Sequence, residues 1–320
     1  MQEQFCDVGR GITLCYETFG DPADPTALLV MGLGTQMVGW HEEFCRQLSD
    51  RGLFVVRFDN RDIGRSTHTT GRPPTIAQML TRSKRPARYD LGDMADDAAG
   101  LLEQLGAAPA HVIGASMGGM IAQTMAARHP GAVRSLTSIM STTGSRRAGQ
   151  PALAIYPIFM RRAPQEREAF IAHVTRMFDK IGSPGFARDP EQIRELAGVS
   201  YDRDRDPFST GRQLAAIIAS GDRTAELRTI KAPTLVVHGG ADRLVAPSGG
   251  RATARAIPGA RLMTIPGMGH DLPRQIWPQL IDAIAEHAFR ADAAAPAAAE
   301  HAQGEHPPLQ TRRALPGLQG

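Results

Sequence analysis

Gly114-Ala115-Ser116-Met117-Gly118 follows the short apolar run Val112-Ile113 and precedes Ile121 to Arg128, a stretch with helical character. A Gly-x-Ser-x-Gly turn between a strand and a helix holds its serine at a strained backbone angle and lifts the hydroxyl above the sheet as a nucleophile. Such a serine needs a base, an acid that orients the base, and N–H donors for the oxyanion that forms when it attacks a carbonyl. The chain order serine, acid, histidine confines the search to residues after Ser116. His270 lies in the glycine-rich segment Ile265-Pro266-Gly267-Met268-Gly269-His270, and Asp242 follows Val237-His238-Gly239-Gly240-Ala241. Both come just after apolar runs, at the edge where open α/β sheets carry their sites.

The competing residues read as supports. His238 stands at a strand end before a glycine pair and suits the acid's loop better than the base position. His111 begins the serine's strand and His129 ends its helix, so both read as structural, and Asp271 adjoins His270 too closely to orient its ring. The run Val133 to Met140 ends in Ser141-Thr142-Thr143 and offers no carboxylate, which favours Asp242 as the acid. The oxyanion donors are expected to be the backbone N–H groups of Met117 and Leu33, with Gly32 and Gly34 letting the second loop turn inward. Asp59 and Arg61, in the polar loop Asp59 to Ser66, are expected to fix that loop and not to touch substrate.

Positioning these residues requires a sheet. Phe5 to Asp7 and Ile12 to Thr18 read as a hairpin, and Ala27 to Met31, Leu53 to Phe58, Val112 to Ala115, Val133 to Met140, Pro233 to His238 and Arg261 to Ile265 as further strands. Helices are expected between them, near Trp40 to Ser49, Asp93 to Leu105, Ile121 to Arg128 and Ser248 to Ala256, with a last one from Pro273 to Phe289. This alternation implies a mostly parallel central sheet flanked by helices. It breaks between Ser141 and Gly221, where successive segments read as helices only. The chain therefore divides into a core, residues 1–140 and 222–290, a helical cap insertion, residues 141–221, and a tail, residues 291–320. The tail's Ala, Pro, Gln, Glu and His leave too little apolar surface to offset ordering entropy, so it is expected to be disordered. The segment opening the cap has more apolar surface than one helix face needs, and Tyr156, Phe159 and Met160 are assigned with Gly32 to substrate binding, the alternative for the three cap residues being that the cap packs on itself.

At 320 residues with 42% hydrophobic content, the chain has enough apolar surface for a sizeable core. A net charge of +3 is small, and Arg82 to Arg88 and Arg203 to Arg205 are brief runs that read as solvated loop charges, so no nucleic-acid partner is expected. The three cysteines, Cys6, Cys15 and Cys45, are widely spaced and lack zinc-ligand spacing, which implies reduced thiols and no metal. No apolar run is long enough to span a bilayer and Met1-Gln2-Glu3-Gln4 lacks leader character, so the expected location is cytoplasmic.

Together, the serine turn, Asp242, His270 and Gly32-Leu33-Gly34 resemble the α/β-hydrolase superfamily over about Phe5 to Phe289. Val30-Met31-Gly32-Leu33-Gly34, Gly39-Trp40, Phe58-Asp59-Asn60-Arg61-Asp62-Ile63-Gly64-Arg65-Ser66 and Ile265 to His270 resemble more closely the bacterial group of aclacinomycin methylesterase and related carboxylesterases. One departure is Met31, where many hydrolases place His before the glycine, but a backbone donor does not require it. The resemblance implies an α/β-hydrolase fold with a helical cap, no cofactor, and serine carboxylesterase activity on a small-molecule ester. Other reactions on the same triad stay open: methylesterase of a secondary metabolite, cofactor-free perhydrolase, aminopeptidase or carbon–carbon hydrolase. The non-enzyme alternative is a hydrolase-like ligand receptor.

Overall fold

The computed structural model describes residues 2–155 and 163–302. Eight strands form one sheet in the order β1-β2-β4-β3-β5-β6-β7-β8. They are β1 (Gln4–Asp7), β2 (Thr13–Phe19), β3 (Thr26–Val30), β4 (Phe54–Phe58), β5 (Ala110–Ala115), β6 (Val133–Ile139), β7 (Thr234–Gly239) and β8 (Arg261–Ile265). β2 runs antiparallel to both β1 and β4, and every pairing from β4 to β8 is parallel. The expected mostly parallel sheet is present. β3, β5 and β7 are buried at every residue, as strands covered on both faces must be, which is why they read as continuous apolar runs.

The helices are α1 (Glu42–Ser49), α2 (Ile76–Leu80), α3 (Leu91–Gln104), α4 (Met117–Arg128), α5 (Arg167–Ile181), α6 (Pro190–Arg203), α7 (Ser209–Ser220), α8 (Thr224–Leu227), α9 (Ser248–Ala256) and α10 (Trp277–Ala302). Alternate residues of a strand face opposite sides, so the core has two layers. Leu28, Val30 and Val112 pack with Leu101, Ile121 and Met125 of α3 and α4 on one face. Leu29, Val55 and Ile113 pack with Phe44, Leu48 and Ile281 of α1 and α10 on the other. α3 starts at a reciprocal cap, in which the Asp90 side chain accepts the Asp93 N–H while the Asp93 side chain accepts the Asp90 N–H. Between β6 and β7 the described residues hold α5 to α8 and no strand. Tyr156, Phe159 and Met160 lie outside the described residues.

α10 departs from the reading of the sequence, which ends it near Phe289 and assigns residues 291–320 to a disordered tail. The helix continues to Ala302, and residues 303–320 lie outside the described residues. Ala291 is buried, and the Asp292 carboxylate lies 3.2 Å from His111 Nε2 at the start of β5 and 3.6 Å from Arg134 Nε in β6. Alanine is the strongest helix former, so the docked helix carries on readily through Ala291, Ala293, Ala294 and Ala295, whereas Pro296 beyond them removes one backbone N–H from the run. Ending the chain at Arg290 should therefore cost about 1–2 kcal/mol and lower Tm by roughly 2 to 6 °C. An unchanged melting curve for the shortened chain would show that the Asp292 contacts contribute nothing.

α10 also carries His287, which is buried with Nε2 3.2 Å from Leu136 O and 3.1 Å from Pro233 O. Burial holds its pKa below the ordinary histidine range. The folded state thus binds this proton less readily than the unfolded chain, and the group's contribution is present above pH ~6.5 and lost as pH falls below it. In His287→Gln, the loss of unfolding free energy between pH 7.5 and 5.5 should shrink by about 1 kcal/mol relative to the parent. Urea titrations at the two pH values measure the difference, and equal losses in parent and variant would refute the assignment.

Candidate active site

The serine sits in a tightly packed turn. Ser116 links the end of β5 to the first residue of α4 with φ 56° and ψ −119°, in the left-handed half of backbone space. A non-glycine residue held there stores about 1–3 kcal/mol of strain, which the surroundings must enforce. A Cβ on Gly114 would stand 2.2 Å from Gly118 O, and one on Gly118 would stand 2.1 Å from Val30 O. The two glycines of the motif are thus required by backbone contact. The Ser116 N–H donates to Ile139 O of β6 at 2.9 Å, which ties the turn to the neighbouring strand.

Asp242 follows β7 with its carboxylate buried. Its Oδ1 accepts the N–H groups of Leu244 and Val245, each at 2.9 Å. Its Oδ2 lies 2.7 Å from His270 Nδ1, and His270 Nε2 lies 2.9 Å from Ser116 Oγ. A ring proton on Nδ1 would leave the Nε2 lone pair facing the serine hydroxyl. His270 and Asp242 are 8% and 4% exposed, so this line of polar atoms is shielded while its serine end opens into a cavity. His238, read as a support, places Nε2 2.8 Å from Val245 O and 3.6 Å from Asp242 Oδ2. Burial lowers its pKa, which favours a neutral ring behind the carboxylate.

Leu33 and Met117 line the same cavity as Ser116 and His270. Met117 opens α4, so its N–H has no acceptor within the helix and lies at the positive end of the helix dipole. Gly32 packs against the serine, since a Cβ there would come within 3.1 Å of Ser116 Cβ. The Leu33 loop is held on both sides: Asn60 Nδ2 donates to Met31 O at 2.9 Å, and the Gly34 N–H donates to Gln213 Oε1 of α7 at 2.9 Å. The cavity measures about 950 Å³, with walls that include Met120, Met140, Phe178, Leu214, Ile217 and Trp277. Among the described residues, no group of His, Cys, Asp and Glu is arranged to hold a metal ion, and no helix is long and apolar enough to cross a membrane.

A family model described as alpha/beta hydrolase fold matches residues 25–273. The chain belongs to that family. This alpha/beta hydrolase is 29% identical over 302 residues to rhodomycin D methylesterase DauP of Streptomyces sp. strain C5, covering 86% of this chain and 95% of the relative. It is 28% identical over 300 residues to rhodomycin D methylesterase DnrP of Streptomyces peucetius, again covering 86% and 95%. The resemblance to the methylesterase group is borne out, and the chain is a hydrolase. Among solved structures, the enol-lactonase from Burkholderia xenovorans superposes with a TM-score of 0.67 at 22% identity, over 89% of this chain and 100% of that one. An esterase from Thermogutta terrifontis gives 0.69 at 23%, over 91% and 99%. These two likenesses concern the fold.

The hydrolase holds its Asp59–Ser66 loop in a way only partly expected. Asp59 is fully buried and accepts from Met37 N at 2.7 Å, Arg65 N at 3.0 Å and Arg203 Nη2 at 2.7 Å. Arg61 Nη2 donates to Asp97 Oδ1 at 2.6 Å. Neither side chain lines the cavity, in keeping with a loop-fixing role. Arg203 corrects the reading of its run as solvated charge: its side chain is 7% exposed and paired with Asp59 and Glu3. Arg212 Nε in α7 likewise donates to the buried Asp62 Oδ1 at 2.8 Å. Two arginines of the β6–β7 insertion are thus seated on two aspartates of a core loop. The alternating run Asp202-Arg203-Asp204-Arg205-Asp206 was the available signal, but alternation by itself does not name a distant partner.

Proposed function

We propose that the chain is a serine carboxylesterase that cleaves small to medium apolar carboxylic esters through an acyl-enzyme. The observation that carries this reading is the hydrogen-bonded line from Asp242 through His270 to Ser116, ending in a cavity walled mostly by apolar side chains. The ester names of its relatives favour the same class. In this mechanism Ser116 Oγ attacks the ester carbonyl carbon while His270 Nε2 takes the hydroxyl proton. The tetrahedral oxyanion is met by the N–H groups of Leu33 and Met117. His270 then returns the proton to the leaving alkoxide, the C–O bond breaks, and the acyl group stays on Ser116. Water enters, His270 takes one of its protons as the oxygen attacks the acyl carbon, and as the acyl C–O bond breaks His270 returns that proton to Ser116 Oγ, which releases the acid and restores both side chains. Asp242 holds the imidazolium formed in each half-reaction. The reaction as written requires no cofactor.

The insertion between β6 and β7 acts as a cap in this reading. Met177, Phe178, Leu196 and Ile217 from α5 to α7 form cavity wall opposite the serine turn. A cavity of about 950 Å³ is at the upper end for a small-molecule site, which leaves room for both the acyl and the alcohol group.

Treatment with a fluorophosphonate followed by peptide mass mapping should find the adduct on Ser116. A panel of p-nitrophenyl and methyl esters should give measurable kcat/KM, with p-nitroanilides as the amide control. Labelling without turnover of any ester, alongside turnover of an amide, would replace the esterase reading with a peptidase one. Absence of both labelling and turnover would leave a ligand-binding protein.

A further inference from the structure

Asp242 orients the ring of His270, but the backbone that carries the ring is held from elsewhere. The residues at the C-terminal end of α5 and just beyond it, Ile181 to Gly185, lie directly on the loop Gly267 to Asp271. Ile181 O accepts the His270 N–H at 2.7 Å, and the Gly185 N–H donates to Gly267 O at 2.9 Å. Between these bonds sits Ser183, 3% exposed. Its hydroxyl oxygen accepts the Gly269 N–H at 2.8 Å while its O–H donates to Asp271 Oδ1. One hydroxyl therefore uses donor and acceptor capacity together on the two residues that flank the base. The approach is close enough that side chains are excluded: a Cβ on Gly269 would stand 2.4 Å from Gly182 O, and one on Gly267 would stand 2.8 Å from Gly185 Cα.

We propose that Ser183 is a positioning residue for His270: through Gly269 and Asp271 it fixes the distance and direction from which Nε2 reaches the serine hydroxyl and the leaving group. The inference rests on the esterase reading. Burial raises the Asp271 pKa above the ordinary carboxylate range, and the Ser183 O–H answers part of the lost solvation of that carboxyl. The same helix end faces the cavity through Phe178 and Ile181. A substrate that presses on α5 thus presses on the peptide that holds the base, which couples fit in the cavity to placement of the imidazole.

A displaced base has unequal effects on different esters. Expulsion of an alkoxide needs the proton on Nε2 delivered to the leaving oxygen, whereas p-nitrophenolate departs without it. In Ser183→Ala, kcat/KM for a methyl ester should fall by about 10- to 100-fold, and for the p-nitrophenyl ester of the same acid by a clearly smaller factor. Ser183→Cys, which keeps the volume but forms only weak hydrogen bonds, should change the ratio in the same direction should the alanine variant fail to fold. Loss of folded protein would lower both rates equally and leave the ratio untouched. A ratio within twofold of the parent in a folded variant overturns the proposal. Failure of the parent protein itself to label with fluorophosphonate and to hydrolyse either ester overturns the esterase reading instead.

Discussion

Ser116→Ala and His270→Ala should each abolish ester turnover, and Asp242→Asn should lower kcat by about 10⁴ while the protein stays folded. The serine and histidine losses follow from chemistry: alanine offers no nucleophile in one case and no proton acceptor in the other. The aspartate case follows from geometry. An ionised carboxylate 2.7 Å from Nδ1 can only accept, so it keeps the ring proton on Nδ1 and leaves Nε2 free to face Ser116 Oγ. An asparagine there can present its amide N–H₂ to Nδ1, which moves the ring proton to Nε2 and turns the base into a donor toward the serine. The imidazolium formed in each half-reaction also loses its countercharge. A factor of 10⁴ corresponds to about 5.5 kcal/mol of transition-state stabilisation. Steady-state kcat on one p-nitrophenyl ester, with circular dichroism on each variant, decides the matter. Near-normal turnover in Asp242→Asn would transfer the role of the acid to another residue.

Arg203→Met should destabilise the protein strongly although Arg203 lies outside the proposed triad. The guanidinium lies 2.7 Å from Asp59 Oδ2 and 2.8 Å from Glu3 Oε1, and it also donates to Gln36 Oε1. Asp59 has no exposed surface, so removing Arg203 leaves a buried carboxylate with only backbone donors nearby. Breaking a buried pair from one side costs about 3–5 kcal/mol, or roughly 6 to 15 °C in Tm for a domain of this size. Because Asp59 also holds Met37 N, where the chain runs on into the cavity wall at Val38 and Trp40, kcat/KM should fall with stability. Adding Asp59→Asn to Arg203→Met removes the stranded charge and should recover part of the loss, a coupling that a double-mutant cycle reads directly. A melting temperature within two degrees of the parent would show that this pair does not clamp the insertion to the core.

What could be read without coordinates was whatever local chemistry encodes. Continuous β-branched runs betrayed strands buried on both faces, and the placement of Ser116, Asp242 and His270 just past such runs put all three at one edge of a parallel sheet. Parallel strands with helical crossovers end on the same side, so three residues spread over 154 positions meet within hydrogen-bonding distance. Gly114 and Gly118 were legible for the same reason, since the contacts that exclude a side chain lie within the turn or against the adjacent strand. Pairing between distant polar groups outside the Ser116, His270 and Asp242 line was not legible. Arg203 and Asp59 are 144 residues apart, Ser183 and Gly269 are 86 apart, and each polar group has many compatible partners elsewhere in the sequence. Local propensity cannot choose among them. The end of α10 belongs with these cases: composition alone describes residues 291–302 as unable to bury surface, whereas a helix already docked on the sheet extends through them despite Pro296, with His111 and Arg134 beside Asp292. By itself the sequence determined the fold class and the candidate reacting groups, because strand period, turn chemistry and chain order act over a few residues. The tertiary structure alone decided which arginines pair with the core loop's aspartates and which serine bonds to the His270 loop, because those contacts exist only once the sheet has brought remote segments together.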